Sequence, residues 1–219
     1  QGCQYCFMEV SSHGIAQNRI KGLDFDVGVF TNISRDHLDY HTSFEDYLYT
    51  KKKFFDSLSK DAISVINIDD THAQTMILDT NSRKVFFGLN TLCNYSGSIM
   101  ESNIDGLLVN IDGSEIGTKL VGNFNTYNLL AAYSVAVELL GEKAKQSIFT
   151  YLSKINPVPG RFNMIKLSSS VVAIVDYAHT PDALKQVVLS ISNFCAIQQD
   201  LIIVIGCGGD RDVGKRSEM

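Results

Sequence analysis

Short apolar runs alternate with helical patterns in the first half of this 219-residue sequence, and this order constrains the fold more than any other feature. Strand-like runs lie at 26–31, 62–67 and 84–87, and helical patterns lie between them at 44–58 and 70–78. Parallel strands need a crossover connection, which is usually a helix. The alternation therefore predicts an α/β fold with a mainly parallel sheet.

The next stretch, 95–121, has a different pattern. Asp-Gly pairs at 105–106 and 112–113 interrupt short alternating runs there, which predicts an antiparallel meander. A long helix should follow at 122–140, and a second helix should cover 143–154.

A proline-rich linker divides the chain into two predicted domains. Residues 156–161, NPVPGR, hold two of the three prolines in the chain. Beyond this linker we predict strands at 162–167, 171–176 and 201–205 and one helix at 181–194. We therefore expect one α/β domain at 1–156 and the start of a second at 157–219, and we expect the native protein to continue past Met219.

The composition argues against several classes of protein. A net charge of -5 gives no basic surface for nucleic acid, and the longest apolar runs are too short to cross a bilayer. Five scattered cysteines include one lone C-x-x-C at 3–6, which is too little for a structural zinc site. We expect a cytoplasmic protein with reduced thiols and with neither nucleic acid nor membrane as a partner.

The segment at 31–51 concentrates charged and metal-binding side chains and then enters a helix. Ser43 followed by Asp46 resembles a capping box, which predicts that this helix begins near Phe44. Apolar residues then recur with the spacing of one buried helical stripe.

Lys51 falls on this apolar stripe, whereas Lys52 and Lys53 should turn outward. A buried lysine needs an anionic partner, a shifted pKa or a modification that removes its charge. Lys51 therefore either reaches solvent or a nearby carboxylate, or it reacts with carbon dioxide. The resulting carbamate would offer anionic oxygens to a hard cation such as Mg²⁺.

Glu9 and His37 are the candidate partners of such a carbamate. An apolar run at 7–10 predicts a strand that delivers Glu9 to its carboxyl end, and the strand at 26–31 ends just before His37. The three groups together would form a magnesium or manganese site. His37 and His41 also lie four residues apart, as in a helical two-histidine metal site, although the glutamate of H-E-x-x-H is missing.

Three further groups of residues suggest ligand contacts. The first is a polar group formed by Ser11, Gln17 and Arg19. It either contacts an anionic substrate or belongs to a solvated loop. The glycine-rich loop at 206–216 nearly matches a P-loop, but it has arginine where Mg²⁺ coordination needs Ser or Thr. It therefore favours contacts to a phosphate or a zwitterion. Asp176 and His179 follow a predicted strand and precede a helix start at Thr180 and Pro181.

Four segments together resemble one family. They are MEVSSHG-x4-R at 8–19, FTN-x-S-x-DHLDYH at 30–41, DYAHTPDAL at 176–184 and GCGGDRD-x-GKR at 206–216. These motifs are similar to those of the Mur ligases, in particular the UDP-N-acetylmuramoyl-tripeptide synthetases, which add the third residue of the peptidoglycan stem peptide. The resemblance implies a central ATPase domain and a C-terminal Rossmann-like domain that meet near Pro157. We expect a monomer.

The resemblance also implies roles for individual residues. It makes Lys51 the carbamylated, catalytic lysine and makes Glu9 and His37 magnesium ligands. Contacts to the UDP-muramoyl-dipeptide would come from Ser11, Gln17 and Arg19. Contacts to ATP would come from Asn128, Arg161, Asp176 and His179. Arg211 would hold the incoming diamino acid, which is meso-diaminopimelate or lysine.

The implied reaction is an ATP-dependent ligation. ATP phosphorylates the side-chain carboxylate of the terminal D-glutamate, and the amine of the diamino acid then attacks this acyl phosphate and releases phosphate. Two magnesium ions would neutralise the crowded charge, and Arg161 would complete the site when the domains close. The phosphate loop of the family should lie upstream of Gln1, so we expect the chain alone to be inactive.

Three alternatives remain open from the residues. The first is a sister ligase, such as a folylpolyglutamate or cyanophycin synthetase. The second is a metal-dependent hydrolase built on Asp36, His37 and His41. The third is a binding module without catalysis.

Overall fold

The parallel sheet that the sequence predicts lies at the centre of the structure. The computed structural model describes residues 2–168, 171–195, 199–208, 212 and 214–219. Three strands, β1 (Val27–Phe30), β2 (Ile63–Asn67) and β3 (Arg83–Gly88), pair in parallel in that order. The prediction of a mainly parallel sheet is confirmed.

An antiparallel meander extends this sheet, also as predicted. β4 (Tyr95–Asn103) pairs in parallel with β3, and β5 (Gly106–Ile111) and β6 (Ser114–Thr118) then follow in antiparallel order. Asp112 and Gly113 between β5 and β6 both have positive φ angles, 50° and 81°, which tight hairpin turns require. The six strands thus form one sheet in sequence order.

Helices cover both faces of the sheet. They are α1 (Ser12–Ala16), α2 (Phe44–Asp56), α3 (Ala73–Met76), α4 (Phe124–Leu140) and α5 (Lys145–Leu152), with a 3-10 turn at Glu142–Ala144. In β2, Val65 belongs to the core formed with α4 and α5, whereas its neighbour Ile66 belongs to the core formed with α2 and α3. Burial on both faces explains why this strand is a continuous apolar run. No helix in the described part of the chain is long and apolar enough to span a membrane.

The second part of the chain is smaller. It consists of β7 (Asn163–Lys166), β8 (Val172–Val175), α6 (Pro181–Ser192) and α7 (Gly214–Glu218). β7 and β8 pair antiparallel, and the hydroxyl of Thr180 caps α6 by accepting the Ala183 N–H at 3.2 Å. A small apolar cluster joins this part to the first and contains Val121, Phe162 and Val187.

Two predicted strands do not form. Residues 7–10 and 201–205 lie within the described part of the chain, yet neither segment is a strand. Their side chains are largely exposed, with Phe7 at 86% and Val204 at 92%. A strand needs a hydrogen-bonded neighbour, and a cavity of about 890 Å³ lies between 7–10 and the edge strand β1.

Candidate functional site

Helix α2 begins where the sequence predicts. The Ser43 side chain accepts the Asp46 N–H at 3.1 Å, and the first helical residue is Phe44. The Asp46 carboxylate accepts the N–H of Thr42 rather than that of Ser43, so only half of the predicted capping box forms. The predicted stripe is buried and includes Tyr47, Leu48, Phe54 and Phe55.

Lys51 lies half-buried on α2, as its position in the stripe predicts. Its ammonium nitrogen lies 5.4 Å from the centroid of the Tyr47 ring. Burial lowers the pKa of Lys51, and the charges of Glu9 and Asp36 offset this only in part. A lowered pKa increases the fraction of neutral amine, which is the form that can attack carbon dioxide.

Lys52 contradicts the prediction that it turns outward. Its side chain is 5% exposed, and its ammonium group donates to both carboxylate oxygens of Asp56 at 2.7 Å. A second carboxylate, that of Asp79, also accepts from it. The sequence contained a signal for this pairing, because Asp56 stands four residues after Lys52. Lys53 is exposed, as predicted.

His37 lies on a turn at the carboxyl end of β1. Its φ angle is 57°, so His37 and His41 do not lie together on a helix, which is the arrangement that their spacing resembles. Burial lowers the pKa of His37, Asp36 raises it, and Lys51 lowers it again, for a net decrease. A neutral imidazole is the form that binds a metal ion.

His41 is not available as the second metal ligand of a hydrolase. Its side chain is 2% exposed, with Nε2 2.9 Å from the Ser12 hydroxyl and Nδ1 3.4 Å from the Asp46 carboxylate. Both ring nitrogens therefore already have partners. The hydrolase alternative loses one of the ligands on which it depends.

Glu9 faces the same cavity as Lys51. The cavity of about 890 Å³ is lined by both residues and by Thr31 and Asn32, which follow β1. Although 7–10 is not a strand, the segment still brings Glu9 to the carboxyl edge of the sheet. The charge of Glu9 partly offsets the lowering of the Lys51 pKa by burial, so the two groups are close enough to interact.

The predicted substrate contacts lie on the loop around α1. Ser11 caps this short helix, since its hydroxyl accepts the Gly14 N–H at 3.1 Å. Arg19 donates to the Gln17 side-chain oxygen at 2.6 Å. All three predicted residues are exposed, so Gln17 and Arg19 in particular can reach a ligand in solvent.

The predicted ATP contacts fall on both parts of the chain. Asn128 is exposed near the start of α4 and donates to the Asn125 side chain at 2.9 Å. In the second part, the Arg161 guanidinium lies 4.4 Å from the centroid of the Tyr177 ring. Asp176 accepts two backbone N–H groups, each at 2.7 Å, from Phe162 and Ala178.

The two parts meet through Asp36, which the sequence predicted as a possible partner of Lys51 or as a hydrolase ligand. Its carboxylate lies 3.5 Å from His179 Nε2 and 3.3 Å from the ammonium group of Lys215. Lys215, at 10% side-chain exposure, and His179 line a second cavity of about 460 Å³ together with Asp176. Arg211, the predicted diamino acid contact, lies outside the described residues.

Two family models match this chain. The model of the Mur ligase middle domain matches residues 1–136, and the model described as Mur ligase, glutamate ligase domain, matches residues 160–219. The chain belongs to the Mur ligase family. The expected family and the expected α/β fold class are both confirmed.

Similar proteins agree with this assignment. A UDP-N-acetylmuramoyl-L-alanyl-D-glutamate--2,6-diaminopimelate ligase from Bacteroides thetaiotaomicron is 47% identical over 219 residues, which are 100% of this chain and 45% of that protein. A solved structure of a ligase with the same name is 35% identical, has a TM-score of 0.69 and covers 96% of this chain and 44% of its own. The MurF ligase from Thermotoga maritima in complex with ADP, at 21% identity and a TM-score of 0.66, covers 83% of this chain and 42% of its own and shares the fold.

The donor groups of this Mur ligase chain fit a magnesium ion only after one modification. Among the described residues, no group of three or more His, Cys, Asp and Glu side chains could hold a metal ion. Glu9 and His37 supply two such donors, and Lys51 in its amine form is a cation or a weak donor. A carbamate on Lys51 would turn it into an anionic oxygen ligand, which is the kind that Mg²⁺ prefers.

Proposed function

We propose that this chain is part of an ATP-dependent ligase that adds a diamino acid to UDP-N-acetylmuramoyl-L-alanyl-D-glutamate in peptidoglycan synthesis. The observation that carries the proposal is the position of Lys51, half-buried within the electrostatic reach of Glu9, Asp36 and His37. The similar ligases named above support the substrate class. Their names favour 2,6-diaminopimelate over lysine. The chain spans about 45% of the length of these curated relatives, so we assign the activity to a longer protein.

In the proposed site, Glu9, His37 and a carbamylated Lys51 hold a magnesium ion. The ion would neutralise charge on the phosphates of ATP and on the acceptor carboxylate. Carbamylation forms a bond between the Lys51 nitrogen and the carbon of carbon dioxide, and the proton from the amine passes to solvent. Burial favours this step, because it lowers the pKa of Lys51 and so leaves more of the amine unprotonated, with its lone pair free to react.

The other predicted residues bind and orient substrates. We assign contacts with the dipeptide substrate to Ser11, Gln17 and Arg19. Arg19 offers the bidentate geometry that suits a carboxylate or phosphate. On the nucleotide side we assign Asn128, Arg161, Asp176 and His179. We assign Arg211 to the diamino acid.

We also propose a division of the chain into a central domain at 1–156 and part of a C-terminal domain at 157–219. The family matches end at 136 and resume at 160, near the end of the proline-rich linker at 156–161, and this supports the proposed division. We also propose that the enzyme is cytoplasmic and monomeric and has neither nucleic acid nor membrane as a partner. The net charge of -5 is consistent with the lack of a nucleic acid partner.

Replacing Lys51 in the complete ligase tests the proposed function. We expect Lys51→Ala to abolish ligation, because the site loses the anionic ligand that a carbamate supplies. Small carboxylic acids should restore part of the activity by occupying the vacated space, whereas bicarbonate should not. The measurement is diaminopimelate-dependent phosphate release.

Lys53→Ala is the matched control, because Lys53 is exposed on the same helix. It should leave ligation and its dependence on bicarbonate unchanged. Full activity of Lys51→Ala would refute the carbamate role and with it the proposed site.

A further inference from the structure

A single buried residue, His41, contacts the three segments that carry the proposed magnesium ligands, two of them through its ring and one through its backbone N–H. His41 Nε2 lies 2.9 Å from the hydroxyl of Ser12, which follows Glu9 on the first segment. The His41 backbone N–H donates to the carbonyl oxygen of His37 at 2.9 Å. Nδ1 lies 3.4 Å from the carboxylate of Asp46, in the first turn of the helix that carries the lysine.

We propose that His41 is a positioning residue that fixes these three segments relative to one another, with Ser12 as its main partner. The proposal rests on the proposed function, because it concerns the same Glu9, His37 and Lys51. The Ser12 contact is the stronger one, since Ser12 and His41 are 1% and 3% exposed. A hydrogen bond between buried groups is costly to leave half-made. Asp46 is exposed and contributes less.

The two ring contacts suit one neutral tautomer of His41, in which Nδ1 carries the proton toward Asp46 and Nε2 accepts the proton of the Ser12 hydroxyl. The rings of His13, Tyr40 and Tyr47 surround His41 at centroid distances of 5.9, 5.0 and 5.3 Å. These contacts hold the ring in place, so the imidazole acts as a rigid link between backbone segments.

Supporting contacts of this kind set metal affinity because they keep the ligands in a geometry that the ion can use. The test uses Mn²⁺ as the probe, titrated into the complete ligase in bicarbonate buffer and followed by electron paramagnetic resonance. We expect Ser12→Ala and His41→Asn to weaken Mn²⁺ binding about 10-fold. The asparagine amide can take the place of Nδ1 but does not reach Ser12. The concentration of Mg²⁺ for half-maximal activity should rise in parallel, whereas the KM for ATP should change little.

His41→Gln is the conservative rescue, because its amide can take the place of Nε2 and keep the contact with Ser12. It should bind Mn²⁺ nearly as well as the wild type. Ser134→Ala is the matched control for Ser12→Ala. Ser134 is a fully buried serine in α4 whose hydroxyl donates to the Leu130 carbonyl at 2.7 Å, and it lies on the other face of the sheet.

Thermal unfolding of every variant separates positioning from general stability. Ser12→Ala and Ser134→Ala should destabilise the protein to a similar extent, but only Ser12→Ala should weaken Mn²⁺ binding. Unchanged Mn²⁺ binding in Ser12→Ala and His41→Asn would overturn the positioning role alone. If Ser12→Ala or His41→Asn does not fold, His41→Gln is compared with the one of the two that does fold. Equal Mn²⁺ affinities in that comparison would overturn the positioning role. Mn²⁺ binding that is the same in wild type and Lys51→Ala would instead overturn the proposed site itself.

Discussion

Lys51 and Lys52 are adjacent on one helix, yet their ammonium groups meet different surroundings. Lys52 is buried between the carboxylates of Asp56 and Asp79, which together raise its pKa despite its burial. Lys51 has no such ion pair among the contacts that the structure describes, and burial lowers its pKa. We therefore assign a structural role to Lys52, whereas Lys51 is the lysine proposed to react with carbon dioxide.

Lys52→Ala should therefore lower stability without removing a site residue. We expect a loss of about 1–2 kcal/mol in the free energy of unfolding, less than the roughly 3–5 kcal/mol of a fully buried pair because Asp79 is largely exposed. Urea unfolding measures this change. Lys53→Ala, at an exposed position on the same helix, should alter the free energy by less than about 0.5 kcal/mol. Equal effects of the two substitutions would contradict the structural role of Lys52.

At the scale of elements, the sequence predicted every strand that has a partner in the described structure. β2 and β3 were predictable because burial on both faces demands continuous apolar runs. The runs at 7–10 and 201–205 are also largely apolar, yet neither forms a strand, because pairing depends on a neighbour that local sequence does not encode. In the site, the cap at Ser43 is a local signal and was predictable. The contacts of Asp36 with Lys215 and His179 join residues far apart in sequence, so no local pattern could predict them.

The meander and the two helices packed on it share one carboxylate, whose titration should be visible in the stability of the protein. Asp112 accepts hydrogen bonds from Lys145 in α5 at 2.6 Å and from Tyr133 in α4 at 2.7 Å. The Lys145 contact is the main reason why the pKa of Asp112 lies below its ordinary value of 3.8. A lowered pKa in the folded state means that the carboxylate stabilises the fold above pH 3.8 and that this stabilisation is lost as the pH falls through the folded-state pKa.

Asp112→Asn should remove this dependence. Asparagine tolerates the positive φ angle at this position, so the turn should persist. At pH 7 we expect the variant to be less stable by about 1 kcal/mol, and we expect the difference from the wild type to disappear as the pH falls through the lowered pKa of Asp112. Chemical denaturation at several pH values measures this. A constant difference across the acid range would show that Asp112 does not titrate as proposed.

At the scale of the whole molecule, residues 35 and 36 connect the two parts of the chain, immediately before His37. Arg35 pairs with Asp212 at 3.4 Å and with Glu218 at 2.8 Å, and Asp36 contacts the second part beside it. The motif that supplies a proposed magnesium ligand therefore also supplies the docking contacts of the second part. This arrangement couples the relative position of the two parts to the loop that carries the metal site.

Arg35→Ala should loosen this docking. Asp212 has a side chain that is only 6% exposed, and without Arg35 its carboxylate would lose a cationic partner and draw toward solvent. We expect trypsin to cut several-fold faster after Lys154, which precedes the linker, and after Arg161, which ends it. We also expect a larger radius of gyration by solution scattering. Arg83→Ala is the control, because Arg83 also forms an exposed ion pair, with Glu138, but entirely within the first part. If both variants keep the cleavage rate and the radius of the wild type, Arg35 does not hold the two parts together.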